Sequence, residues 1–261
     1  MKKRIIFIAA MALLLAGCST VILVRALWQK TPVVVDGNEQ DWVDRTFYLN
    51  EQDVSIGVQN DKDNFYLFVK LLNPGQMRAI RFAGLTIWLD PAGGSDKEYG
   101  IRIPGKPMRP GEMSGSDIVM MPNDINEVEI FSKGKKDPLQ VPVAQLKGIQ
   151  FATSRTAENL IFEFKFPLKE TTDNPFGWNA VSDELGVTLE TGKMERPHKE
   201  GVKPEFGEPQ EEGNRPPMGM DEGGERAGGG RRGGHLGEIK QRDKSAELDF
   251  WFKVRLAKMK K

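Results

Sequence analysis

Leu248-Asp249-Phe250-Trp251-Phe252-Lys253-Val254-Arg255-Leu256 sets the fold class. Leu248, Phe250, Phe252, Val254 and Leu256 occupy every second position, with Asp249, Trp251, Lys253 and Arg255 between them. A period of two suits a strand with one buried face and is useless to a helix. Such a strand is unstable alone and needs a sheet to pair with.

Working back along the chain, the same period recurs. In 64–72, Phe65, Leu67, Val69 and Leu71 alternate with Tyr66, Phe68 and Lys70. Both faces are mostly apolar, as in a central strand covered on two sides. In 84–90, Leu85, Ile87 and Leu89 share a face, and Pro91-Ala92-Gly93-Gly94 ends the run. Further strands are expected at 99–103, 127–131, 148–153, 160–166 and 185–190, the fourth with Phe162, Phe164 and Phe166 on one side and Glu163 and Lys165 on the other. Few stretches are long enough for a helix. The expected fold is all-β: a two-sheet antiparallel β-sandwich of jelly-roll or immunoglobulin-like type.

Residues 193–244 break this pattern. They are rich in Gly, Pro, Glu and Arg, including Gly228-Gly229-Gly230-Arg231-Arg232-Gly233-Gly234, with scarcely any apolar side chain to bury. That composition predicts a disordered loop. The expectation is one sandwich made of 18–192 and 245–261, with 193–244 as an insertion before the last strand.

The beginning of the chain is of another kind. Met1-Lys2-Lys3-Arg4 precedes an apolar run from Ile5 to Leu15, and Leu15-Ala16-Gly17-Cys18 follows. A charged n-region, a short h-region and small residues before a cysteine predict a signal peptide over 1–17. Leu-Ala-Gly-Cys resembles the bacterial lipobox, which implies that Cys18 is acylated and becomes the new N-terminus. Ser19 after the cysteine then implies the outer membrane if the organism is diderm. A plain transmembrane span would have to run on through Val21–Val24 to Trp28, and Arg25 argues against it.

Composition removes several function classes. Lys plus Arg and Asp plus Glu are 37 each, so net charge offers no argument for a nucleic-acid partner. Cys18 is the only cysteine, and its lipidation leaves no disulfide, thiolate nucleophile or cysteine metal site. The two histidines, His198 and His235, both fall in the Gly/Pro-rich stretch. No catalytic constellation stands out, and the chain reads as a binding protein, not an enzyme.

Val35-Asp36-Gly37 with Asp41-Trp42, then Asp63-Asn64-Phe65-Tyr66-Leu67-Phe68-Val69, then Ile87-Trp88-Leu89-Asp90-Pro91, resembles the family 9 carbohydrate-binding modules and their DOMON-like relatives over roughly residues 30–105. The resemblance implies a jelly-roll-like sandwich. Asp36-Gly37 reads as a tight turn and Trp42 as a core plug at the sandwich edge. Sugar-binding members stack ligand on exposed tryptophans, which makes Trp88, Trp178 and Trp251 the candidate ligand contacts. Trp88 and Trp251 lie opposite their strands' aliphatic residues, and Trp178 sits in the turn-like Pro175-Phe176-Gly177-Trp178-Asn179.

Family 9 modules often carry structural calcium, and Asp61, Asp63 and Asn64 offer three oxygen donors, although D-x-D-N is equally an ordinary hairpin turn. DOMON-like relatives bind haem, but no histidine lies in the strand-rich part to ligate it. The leading expectation is a membrane-anchored extracytoplasmic module for a glycan or glycan-bearing partner. The alternatives are a structural or assembly lipoprotein that recruits a protein partner through 193–244 and a haem-binding accessory subunit.

Overall fold

The computed structural model describes residues 21–106, 125–156, 158–192 and 247–259. The 1–17 segment, Cys18 and the 193–244 segment lie outside them. Among the described residues, thirteen strands form two sheets. The seven-stranded sheet runs in the order β1 (Leu23–Arg25), β13 (Asp249–Arg255), β12 (Glu184–Thr191), β6 (Leu85–Asp90), β7 (Tyr99–Ile103), β8 (Glu127–Phe131), β9 (Leu139–Pro142). The other is ordered β10 (Gln150–Arg155), β11 (Leu160–Pro167), β5 (Asn64–Leu71), β4 (Val54–Asn60). Along the free edge of β4, β3 (Thr46–Leu49) and β2 (Leu27–Trp28) occupy successive stretches. The fold is an all-β sandwich.

Its core is the set of alternating apolar residues that the sequence offers. Leu85, Ile87, Leu89, Val187, Leu189 and Phe252 of one sheet meet Phe65, Leu67, Val69, Phe162, Phe164 and Phe166 of the other, all buried. The three phenylalanines of β11 stack along the strand at centroid separations of 6.2 and 5.6 Å.

Three expectations need correcting. The sheets are mixed, not purely antiparallel, because β1 pairs parallel with β13 and β2 parallel with β4. Residues 23–28 cross from the edge of one sheet to the edge of the other, so docking sets their direction, and no hairpin does. Asn60 reinforces this seam: its Nδ2 donates to Ala257 O at 3.1 Å and its Oδ1 accepts from Ala257 N at 2.8 Å.

Second, a helix is present. α1 (Pro74–Ala83) has Asn73 at its N-cap, accepting from Gly75 N at 2.8 Å, Pro74 in its first turn, and Gly84 in the left-handed region at its end. Met77 and Ile80 project from it into the core.

Third, Trp42 does not plug the sandwich edge, and what holds it is Glu163, on the face of β11 opposite the three phenylalanines. Glu163 is fully buried. The chain from Val33 to Trp42 folds across the outer face of the six-stranded sheet, where Trp42, Tyr66, Phe68 and Ile161 form a second apolar cluster with Val33 packed against it. The VDG and DW motifs anchor this cover. Glu163 Oε2 accepts from Asp36 N at 3.0 Å and Gly37 N at 2.9 Å, while Oε1 accepts from Trp42 Nε1 at 2.7 Å. Trp42 is thus a core residue that seals a sheet face and not an edge, stacked on Phe68 at 5.3 Å. Gly57 admits it, because a Cβ there would lie 2.5 Å from the indole Cε3. Burial pushes the Glu163 carboxyl above its ordinary range, against the opposing pull of the three donors.

Glu163→Gln turns one acceptor oxygen into an amide that faces N–H donors. The expected loss is about 2–4 kcal/mol of stability, as for a broken buried charged hydrogen-bond set. An unchanged urea midpoint for E163Q would show that this carboxylate does not hold the cover in place.

Candidate functional site

The outer face of the seven-stranded sheet differs from its counterpart. Among the described residues, no segment like 33–42 seals it, and its central residues are large and amphipathic. Strand register aligns Trp251 of β13 with Thr188 of β12, Thr188 with Trp88 of β6, Trp88 with Gly100 of β7, and Gly100 with Phe131 of β8. Three aromatic side chains therefore stand in one row across five strands. Trp88 and Trp251 are two strand spacings apart, about 10 Å. Both are partly exposed, and Thr188 between them is buried to its tip.

Each ring in the row has a reason for its place. Gly100 leaves space for Trp88, since a Cβ at that position would meet the indole Cε3 at 2.8 Å. The indole leans on Phe131 at a centroid distance of 4.5 Å with a 50° tilt. Its Nε1 donates to Glu190 Oε2 at 2.7 Å. The same oxygen accepts from Lys97 Nζ at 2.8 Å, and Lys97 also lies 3.8 Å from Asp249.

Glu190 and Asp249 belong to the neighbouring row, which continues through Thr86, Arg102, Glu129 and Gln140. Arg102 pairs with Glu129 at 3.4 Å. On the other flank, Asp90 caps the turn after β6, accepting from Ala92 N at 2.8 Å and Asp96 N at 3.2 Å. The Asp-Pro motif is thus a strand stop. An aromatic strip bordered by charged hydrogen-bonding groups can offer an apolar face and directional contacts to one flat, hydroxylated ligand.

Trp178 takes no part in this strip. It is 2% exposed and packs edge-on against Phe65 and Phe166 at 5.8 and 5.4 Å. The turn-like sequence around it carries it into the core rather than to a rim. Beside it, at one end of the sandwich, is a cavity of about 350 Å³ lined by Tyr99, Phe131, Lys133, Glu170 and Phe176 among others. Phe131, Glu190, Lys97 and Arg102 are the members of the strip that the sequence did not single out. The signal for Phe131 lay in the alternation of Glu127–Phe131, which places it opposite Val128 and Ile130.

Asp61, Asp63 and Asn64 are together, but as a turn between β4 and β5. Asp61 Oδ1 accepts from Asp63 N and Asn64 N, both at 2.7 Å, and Oδ2 accepts from Tyr66 Oη at 2.9 Å. The Asn64 Nδ2 also faces both carboxylate oxygens, at 3.3 and 3.2 Å. Calcium needs oxygens that converge on a point; here one carboxylate is surrounded by donors, so the three residues do not fit a calcium site.

Burial would raise the Asp61 carboxyl, but the hydrogen bonds from Asp63, Asn64 and Tyr66 outweigh it and hold the group below its ordinary value of 3.8. A carboxyl with a depressed folded-state pKa stabilises fully above the unfolded value and loses that contribution as pH falls through the folded value. Asp61→Ala is expected to cost about 1–2 kcal/mol at neutral pH. In urea titrations the gap to the parent should close as pH drops below 3.8, and calcium should shift neither protein.

No family model matches the sequence, and no curated protein matches it. Among solved structures, a family 9 carbohydrate-binding module from Caldicellulosiruptor kristjanssonii in complex with glucose is similar, with a TM-score of 0.36 and 8% identity over 66% of this chain and 78% of that one. A family 9 module from the same organism in complex with cellotriose has a TM-score of 0.32 and 10% identity over 65% and 75%. Likeness this distant transfers no residue role to the chain.

Proposed function

We propose that the protein is a non-catalytic binding module, exported and held at the cell envelope by a lipid on Cys18, that takes a glycan or glycan-bearing partner on the outer face of its seven-stranded sheet. In a diderm organism the anchor is in the outer membrane. The observation that carries the ligand reading is the Trp251–Thr188–Trp88–Gly100–Phe131 row. The C–H faces of a sugar ring are apolar and its hydroxyls are polar, so it needs a flat hydrophobic platform with donors and acceptors at its margin. Trp88, Trp251 and Phe131 supply the first; Glu190, Lys97, Asp249 and Arg102 supply the second.

A titration of the full chain with a panel of soluble polysaccharides, read by tryptophan fluorescence and by retardation in affinity gels, tests this. Trp88→Ala and Trp251→Ala should each weaken binding about tenfold, the scale of a single aromatic anchor. Trp178→Ala should act on stability instead, costing about 3–5 kcal/mol as a large core truncation. No response across the panel removes the glycan reading.

A second reading, recruitment of a protein partner through 193–244, has its own support. Thr191 N donates to Leu248 O at 2.8 Å and Leu248 N to Thr191 Oγ1 at 3.1 Å, which joins the two ends of that stretch next to Glu190 and Asp249. Replacing 193–244 by a short turn should keep the melting temperature, because β12 and β13 are already paired. Loss of co-purifying protein on that replacement would support recruitment, and unchanged partners would count against it.

A further inference from the structure

Val21, Leu23 and Leu27 are 42%, 45% and 46% exposed, and no other seven-residue stretch among the described residues exposes three large apolar side chains. They alternate with Ile22, Val24 and Ala26, which pack in the core, so Val21, Leu23, Arg25 and Leu27 are the outward positions of this stretch. The stretch is an edge of the sandwich. β1 ends the seven-stranded sheet beside β13, and β2 continues along the edge of β4 in the other sheet. A single exposed leucine is ordinary, but an apolar run along an edge strand invites pairing with another chain unless something covers it.

Two observations say what covers it. The first is distance along the chain: Cys18 is three residues before Val21 and five before Leu23. Five residues of even fully extended chain span at most about 17 Å. The second is charge. Register sets Lys253 beside Leu23 and Arg255 beside Arg25, and the two β13 cations share the one carboxylate of Glu184, at 3.3 and 2.7 Å. Arg25 has no ion pair among the described residues. Three cations around one carboxylate are drawn to an anionic surface, and aliphatic side chains set among them suit the boundary between lipid headgroups and acyl chains.

We propose that the β1 edge, through Val21, Leu23, Arg25 and Leu27, lies in the headgroup layer of the membrane, a contact that rests on the lipid anchor at Cys18 proposed above and gives the anchored domain an orientation. An open strand edge is not tolerated in hydrocarbon, because its backbone N–H and C=O groups find no partner there. Water and phosphate in the headgroup layer supply those partners, so the aliphatic side chains enter while the backbone stays at the surface. Strand order sets the rest. With β1 at the membrane, Trp251 of β13 is the member of the aromatic row nearest to it and Phe131 of β8 the farthest.

The test uses the full acylated chain in vesicles of phosphatidylcholine mixed with phosphatidylglycerol, with a nitrobenzoxadiazole dye on one introduced cysteine. Acylation leaves Cys18 without a thiol, so only the introduced residue takes the dye. Leu23→Cys and Leu27→Cys are compared with Leu139→Cys, whose parent side chain is 58% exposed on β9. β9 is the opposite edge of the seven-stranded sheet, six strand spacings or about 29 Å from β1. Nitroxide-labelled lipid should quench the dye severalfold more at 23 and 27 than at 139. Arg25→Glu should lower the quenching at 27 in the mixed vesicles and leave it unchanged in phosphatidylcholine alone; no effect in the mixed vesicles overturns the role of charge. Equal quenching at all three positions in a chain that floats with the vesicles overturns the membrane contact and leaves the anchor standing. A parent chain that takes up the dye at Cys18 and fails to float overturns the anchor and the contact together. Shielding of position 23 from lipid, with self-quenching between labelled copies, would put a second copy of the chain on this edge and overturns the contact too.

Discussion

The buried carboxylate of Glu163 decides which surface of this sandwich is available. A two-sheet sandwich has two outer faces, and the aromatic content of β5, β6 and β13 gives both of them apolar patches. On the six-stranded side the patch is Tyr66, Phe68 and Ile161, and the Val33–Trp42 stretch covers it because Glu163 takes two backbone N–H groups and the Trp42 indole at once. Holding a carboxylate away from water is costly unless its oxygens are well supplied with donors. The VDG turn, with Gly37 at φ +80, presents two successive N–H groups to one oxygen and meets that condition. With that patch covered, the row containing Trp88 and Trp251 remains as a partly exposed aromatic surface on the opposite sheet.

Much of the fold was legible because strand alternation survives single-residue noise. The runs around Phe65–Leu71, Leu85–Leu89, Phe162–Phe166 and Leu248–Leu256 each keep their period through the whole strand, and each is a sandwich strand. What escaped reading did so for definite reasons. β4 has Gly57 and two polar residues, Gln59 and Asn60, at buried positions, so its hydrophobicity understates its burial. The helix Pro74–Ala83 carries a weak apolar stripe, although Asn73, Pro74 and Gly84 stand where start and stop residues belong. Alternation placed Glu163 on the face opposite the phenylalanines, but its burial stayed hidden, because local period says which face a residue is on and nothing about what covers that face.

The candidate site was legible in part for a related reason. Trp88 and Trp251 were distinguishable as large residues on the non-aliphatic faces of their strands, and the structure brings them into one row through Thr188. Phe131 and Gly100 joined that row only through strand order and register, which are non-local. Trp178 went the other way: Gly and Pro around an aromatic suggest exposure, yet the stretch after Leu168 turns inward, and Ala180 N donates to Leu168 O at 3.0 Å to close the turn. Asp61 behaved as the plainer of its two readings would have it, since short-range Asp–backbone bonds are the usual use of such a sequence.

Preorganisation is what makes the open strip more than a collection of exposed aromatics. Free aromatic side chains lose rotamer freedom when a ligand settles on them, and that loss is subtracted from affinity. Trp88 is already held on two sides, its Nε1 by Glu190 and its ring by Phe131, while Gly100 leaves room for the indole edge. Glu190 is itself held by Lys97, so the donor-acceptor pattern beside the ring is set before any ligand arrives. Trp251 ends the row two strands from Trp88, with a buried threonine between, so the backbones that carry the two indoles stand about 10 Å apart.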